Sequence, residues 1–489
     1  MNQENTAVEN RKKQKAFSNI SLKSFLLVVG ILSGILIISG ILSYIIPQGS
    51  FERTETGMII PGTYQEGVVD GIAIWRVITA PFRVFASSDA LTIVMISIFL
   101  LIMSGVFNLL EKTGGLKVVI GKTMKKFADK RTLVVFATAL IFMAFGSFFG
   151  LFEELVALLP IVIVFMLSLG YDTMMGLGVC VLAACFGFSA AITNPFSVGL
   201  IPEQAANLGI DFNVADGAWL RIVFFLLIYG SVCAFLFLHT RKIQRDPQSS
   251  PTYQIDLEKR KTLQLNDTQY TEKEERIFRV FGAFFAVQLI VLLLIACIRA
   301  ISGYAIPILA VSFLIGGIIC GLLVCEKKSD VAKYMGIGAS AMLPAVLMIA
   351  LASSVKLVME ESGILDTVMN AVIQAFEGQN PFVCVLLLYL LILFLQVFIG
   401  SASAKIFLIM PIILPVASAL GISPTLVALT YCIADGFTDV ILPTNPVLLV
   451  ALSMANVSYG KWVKWTWKIQ VAVLVLTVLV LLFAVGIHY

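Results

Sequence analysis

The amino-acid sequence predicts an all-α, polytopic membrane protein whose two halves share one plan. Three observations carry this. Hydrophobic residues make up 59% of the 489-residue chain and charged residues 13%, against roughly 25% charged in ordinary soluble domains. Several apolar runs exceed the roughly 20 residues that cross a bilayer as a helix. The tripeptide Thr-Asn-Pro occurs twice, at Thr193–Pro195 and Thr444–Pro446, each time inside such a run. Proline removes a backbone donor and ends the helix before it, so each copy marks an interrupted membrane helix. Lipid does not tolerate the freed backbone groups, so each break must face protein or a polar site.

Residues 1–21 are polar and basic and read as a cytoplasmic tail, with no cleavable leader. The first half, 22–240, opens with a span near 22–46. An external loop follows over 47–89, rich in Pro and Gly and expected to be ordered. A span at 90–110 leads into 132–170, which is too long for one helix and short for two. A small-residue turn at Gly146-Ser147 divides it, as expected of a re-entrant hairpin. The first interrupted helix covers 174–208 and a span covers 217–240. Residues 241–276, polar and charged, read as a flexible cytoplasmic linker. The second half, 277–489, repeats the plan: spans near 278–299, 304–325 and 335–360, a hairpin over 381–419 divided at Gly400-Ser401-Ala402-Ser403, an interrupted helix over 424–456, and a span at 462–487. Glu111–Gly114 recurs as Glu360–Gly363, and the small-residue turns and Thr-Asn-Pro recur at near-constant offset. The span at 90–110 runs opposite to its counterpart at 335–360, so the repeats are expected to be inverted.

Of the 34 Lys and Arg, 27 lie on segments that share a side with the N-terminus, and 5 (Arg53, Arg76, Arg83, Arg221, Arg299) lie on the other. That bias predicts a cytoplasmic N-terminus and an external C-terminus. The net charge of +4 is spread over loops and is no nucleic-acid signal. The eight cysteines are scattered through apolar runs without metal-type spacing. No nucleotide loop, metalloprotease helix or nucleophile–base pair is present, so an enzyme is not expected.

Ionisable groups within membrane segments are costly and mark function. Here they are Glu153, Glu154, Lys405, Asp435 and Asp439, with Lys356 behind them. Glu153 and Glu154 follow the first small-residue turn and Lys405 follows the second, so converging hairpin tips would bring acids toward a base. Such a site suits a zwitterion, with carboxylates on an amino or guanidino group and Lys405 on a carboxylate. The plainer alternative is a Glu–Lys bridge between hairpins. Asp435 and Asp439 precede the second break, where unwound carbonyls and a helix N-terminus would serve a coupling ion or the substrate. The plainer alternative there is pairing with Lys356 or helix capping. Thr193, Asn194, Thr444 and Asn445 at the breaks, and Ser147, Ser401 and Ser403 at the turns, complete the candidate substrate contacts. The asparagines alternatively repair backbone groups freed by the prolines. His239 and His488 lie at segment ends and suggest no proton relay.

Gly146-Ser-Phe-Phe-Gly-Leu-Phe-Glu-Glu154, Thr193-Asn-Pro-Phe196, Gly400-Ser-Ala-Ser-Ala-Lys405, Leu442-Pro-Thr-Asn-Pro446 and Ile46–Phe51 resemble the signatures of YfcC-type carriers. These are grouped with the anaerobic C4-dicarboxylate carriers in the ion transporter superfamily. The resemblance implies a scaffold and a transport domain, two re-entrant hairpins, two broken helices, a homodimer and an elevator motion in a bacterial inner membrane. It implies either C4-dicarboxylate transport or arginine/ornithine exchange. The turns lack the Ser-Asn-Thr of sodium-using relatives, so the coupling ion, Na⁺ or H⁺, stays open. Neighbouring glutamates serve a cationic amino acid and gain a dicarboxylate nothing. The expected function is therefore a basic amino acid antiporter without cofactor or metal. Its rivals are a dicarboxylate carrier and a non-transporting receptor or scaffold.

Overall fold

The computed structural model describes residues 22–53, 60, 62–67, 70–87, 90–115, 130–262, 272–298, 304–376 and 378–489. The tail at 1–21 lies outside them. Helices dominate, and eight stretches among the described residues are long and apolar enough to cross a membrane. The two Thr-Asn-Pro runs are not among the eight, because each is cut into shorter pieces.

The first helices are α1 (Leu22–Leu42), α2 (Ile74–Arg83) and α3 (Ala90–Lys112). Between α1 and α2 a two-stranded antiparallel ribbon pairs Gly49 with Glu66 and Ser50 with Gln65. Then come α4 (Arg131–Ala144), a π turn at Phe145–Phe149, a 3-10 turn at Glu154–Leu158, and α5 (Leu159–Ser168). The first interrupted helix is α6 (Thr173–Ser189) and the short α7 (Ile201–Asn207). Long α8 (Ala218–Arg245) leads to α9 (Tyr253–Thr262), α10 (Glu272–Cys297) and α11 (Ala305–Val324). The span expected at 335–360 is two helices, α12 (Lys328–Ala341) and α13 (Leu343–Glu361), with Pro344 starting the second. An unforeseen α14 (Ile364–Phe376) follows. The chain ends in α15 (Pro381–Gln396), α16 (Ala402–Ala419), the interrupted pair α17 (Pro424–Ala434) and α18 (Pro446–Ala455), and α19 (Tyr459–Gly486).

Sequence sets several helix starts in one way. Asn380, Ser423 and Asn445 each precede a proline, and each side chain accepts from a backbone N–H of the first turn. The proline costs nothing at that position, and the cap satisfies an otherwise orphan donor.

The helices form two packed groups. In one, α3 packs on α11 and α12, α10 on α11, and α13 on α1 and α2. In the other, α6 is buried throughout Thr173–Leu182 between α4 and α5, and α17 lies against α15 and α19. The groups meet where α13 packs on α18. Two described residues between α1 and α2 are tied to α14: Arg53 pairs with Asp366 at 2.8 Å, and the Tyr64 hydroxyl is 3.2 Å from Thr367 Oγ1.

The linker is a correction. Residues 246–262 are structured rather than flexible, with Asp256 and Lys259 buried against the ends of α6 and α18. Asp256 accepts from Thr173 Oγ1 at 2.5 Å, and Lys259 Nζ donates to Ala455 O at 2.9 Å and Thr173 Oγ1 at 3.1 Å. Residues 263–271 lie outside the described part. His239 is likewise no bystander at a helix end. Its Nε2 is 2.9 Å from Asp172 Oδ2, and Trp465 Nε1 donates to its Nδ1 at 3.1 Å. The indole can only donate, so His239 Nδ1 is the acceptor of that bond. Burial alone would raise Asp172, but His239, Ser250 and the Met175 N–H together hold its carboxyl below the ordinary 3.8.

Burial lowers Lys259 from 10.5 to about 8 despite the opposing pull of Asp256 and Glu111. Between those values the unfolded chain holds the proton more tightly than the folded one, so stability rises with pH across that window. A gain of up to ~3 kcal/mol is expected from about pH 8 to 10.5. Hydrogen exchange of α9 should report it in wild type, and Lys259→Met should flatten the profile.

Candidate functional site

Both breaks and both small-residue turns meet in one place. At the first turn, Ser147 Oγ donates to Ala190 O at 2.5 Å and accepts from Ile192 N at 3.2 Å. Ser147 O accepts from the N–H groups of Ile192 and Thr193. The first break is thereby stitched to the first turn. Gly187 on α6 and Gly146 on the π turn face opposing backbone, Met143 O and Ala184 O respectively, with no room for a Cβ. Thr193, exposed, donates to Phe148 O at 3.0 Å.

The two breaks are bonded to each other. Ser189 Oγ donates to Ile433 O at 3.0 Å, and Cys185 Sγ to Gly436 O at 2.8 Å. Gly436 has φ of 96°, and a Cβ there would stand 2.9 Å from Ser189 N. The second turn joins through Ser403 Oγ, which donates to Phe196 O at 3.2 Å, and through the Tyr431 hydroxyl, which donates to Ala402 O at 2.6 Å. Ser401 is exposed and caps α16.

Asparagine repair of the proline breaks holds for one end of each amide. Asn194 Oδ1 accepts from Phe196 N, and Asn445 Oδ1 from Val447 N and Leu448 N. The other ends differ. Asn445 turns toward Asp439, whereas Asn194 Nδ2 is buried without a partner among the described residues. Thr444 is half-buried.

The charges arrange themselves differently from the sequence expectation. Lys405, fully buried, forms an ion pair with Asp435, not with a glutamate and not with a free carboxylate site. Lys356 pairs with Glu360 one turn along α13 at 3.4 Å, so it is not the partner of Asp435 or Asp439. Asp439 accepts from Gln396 Nε2. Glu154 is buried and accepts from backbone N–H groups. Glu153 opens into an apolar crevice where α3 and α18 approach, lined by Phe99, Met103, Val447 and Val450. It lies within electrostatic reach of both Glu154 and Asp439. Four carboxylates thus share the region with one ammonium.

Several carbonyls of the second break are not free, contrary to what the unwound sequence suggested. Gln470 Nε2 donates to Phe437 O at 3.1 Å, Trp462 Nε1 to Val440 O at 2.6 Å, and the Tyr459 hydroxyl to Ile441 O at 2.5 Å. They offer little to a sodium ion. Sequence reasoning also missed Arg221, counted with the external charges. It is buried, and its Nη1 donates to Ile192 O at 2.8 Å, holding the first break from behind. Its donors go to backbone carbonyls, so it steadies the break.

A family model, C4-dicarboxylate anaerobic carrier (DcuC), matches residues 25–486. The chain belongs to that family. It is a membrane transporter, and its apolar helices make it a multi-pass membrane protein. An uncharacterized protein of Haemophilus influenzae is 28% identical over 411 residues, covering 83% of this chain and 77% of that one. An Escherichia coli K12 protein, provisionally named basic amino acid antiporter YfcC, is 24% identical over 386 residues, covering 76% and 74%. Among solved structures, the YdaH transporter of Alcanivorax borkumensis is similar at TM-score 0.43 and 18% identity, over 95% of this chain and 98% of that one. MtrF of Neisseria gonorrhoeae gives TM-score 0.42 and 16% identity, over 93% and 94%.

Proposed function

We propose that the protein exchanges cationic amino acids, arginine for ornithine as the leading case, across a bacterial inner membrane. One observation carries the reading: acidic groups outnumber basic ones around the joined breaks, and the one lysine there is already engaged by Asp435. A dicarboxylate entering this region would meet Glu153, Glu154 and Asp439 with no free ammonium to receive it. A guanidinium or ammonium would find partners, and charge-assisted bonds to it are about twice as strong as neutral ones. The name of the Escherichia coli relative agrees with this choice. The family description favours the dicarboxylate alternative.

Within this reading the halves are inverted repeats, 132–170 and 381–419 are re-entrant hairpins, and the joined breaks move as one body past the α3 group in a homodimer. The N-terminus is cytoplasmic. The identical element order from α4 to α7 and from α15 to α18 supports the repeat.

Glu153→Gln and Glu154→Gln, purified at normal yield, should each slow exchange of labelled arginine in proteoliposomes about 30- to 100-fold, the worth of a lost charged hydrogen bond at ~2–3 kcal/mol. Unchanged rates in both would rule the reading out. Competition by unlabelled succinate, with none by ornithine, would turn it to the dicarboxylate alternative. Absence of any flux would favour a receptor or scaffold.

A further inference from the structure

The Lys405–Asp435 pair is incompletely satisfied. Lys405 is fully buried and Asp435 is 1% exposed. Apart from each other, Lys405 Nζ and both Asp435 oxygens have no hydrogen-bond partner among the described residues. Buried ion pairs are held by additional bonds to their remaining donors and acceptors, and these are missing. Close by, Asp439 is held by neutral amides, from Gln396 and Asn445. Gln396 Oε1, buried, is also without a partner among the described residues. The charge of Lys405 acts on Asp435 and Asp439 alike, so one ammonium serves two carboxylates.

We propose that Lys405 takes the place of a coupling cation: its ammonium sits where a small monovalent ion would stand between Asp435 and Asp439, and the cationic group of the substrate supplies the second positive charge. This rests on the reading of the site as one for cationic amino acids. Exchange then needs neither sodium nor a proton gradient. It also becomes obligatory, because an unloaded site carries an unbalanced buried charge that is costly to move through the membrane.

Lys405→Met in the full chain tests this by two readouts. Arginine exchange in proteoliposomes should be insensitive to sodium and to a proton gradient in wild type. In Lys405→Met it should be lost in sodium-free buffer at pH 8 and return with sodium or at pH 6. Thermal unfolding in detergent, with no substrate present, should show the same contrast: sodium or acid stabilises the variant relative to wild type. Lys405→Arg, which keeps the positive charge, should gain no stabilisation from sodium or acid relative to wild type. A Lys405→Met protein as indifferent to cations as wild type would overturn the proposal. So would sodium dependence in wild type itself, which decides the matter even if Lys405→Met fails to fold. If wild type exchanges no arginine, the substrate reading fails, and the unfolding data still judge the role of Lys405.

Discussion

Asp435→Asn is expected to cost about 3–5 kcal/mol of stability and to abolish transport, because it takes from the buried Lys405 ammonium the one carboxylate that it pairs with directly. The expectation follows from burial rather than from the strength of the pair. An exposed ion pair contributes little, but half of a buried one is far worse than none. Adding Lys405→Met to Asp435→Asn should therefore recover most of the lost stability, and the two changes should be strongly non-additive. Asp439→Asn is the contrast. Its carboxylate is held by amide side chains, and an asparagine can reorganise with them, so stability should fall much less while transport still suffers. Thermal unfolding of the purified proteins separates these cases. Equal stability of Asp435→Asn and wild type would remove the buried pair from the account.

Gly187→Val should be the most damaging change outside the charged residues, costing about 3 kcal/mol or more. A side chain there would be driven into the Met143 carbonyl, and the contact is reciprocated by Gly146 against Ala184. Both sides are main chain, so neither can rotate away. Close backbone approach at small residues is how membrane helices associate without help from the hydrophobic effect. Forcing α4 from α6 would also pull Ser147 from Ala190 and Ile192, unstitching the first break from its turn. Loss of arginine exchange should accompany a lower unfolding temperature. Gly230, on α8 with nothing within 4 Å of a would-be Cβ, is the control position expected to tolerate alanine.

What the sequence makes legible is backbone behaviour, and what it conceals is pairing. Proline chemistry located both breaks, and small-residue turns located both hinges of the divided segments, because each acts through its own local sterics. Charges were found for the same reason, since each stands out against apolar neighbours. Their partners did not follow, because Lys405 could meet Asp435, Asp439 or a glutamate equally well until the chain is folded. Gln396 and Gln470 escaped notice although each adjoins a long apolar run, Gln396 closing one and Gln470 opening another, which is itself a costly placement. Arg221 was misread because it stands near a helix start, where the same residue commonly reaches water. The linker misled in the opposite direction: its polar composition satisfies a buried network rather than the solvent.

The bracing of the second break by α19 has a consequence for how the molecule is made. Phe437, Val440 and Ile441 precede their donors Tyr459, Trp462 and Gln470 along the chain. During synthesis the break therefore leaves the ribosome ahead of the residues that quiet its carbonyls, and these follow only with α19. Only delivery of α19 lets it enter the apolar interior. A chain ending between residues 446 and 458 would carry the whole break and none of these three donors, leaving the Phe437, Val440 and Ile441 carbonyls without the bonds that let them enter the apolar interior.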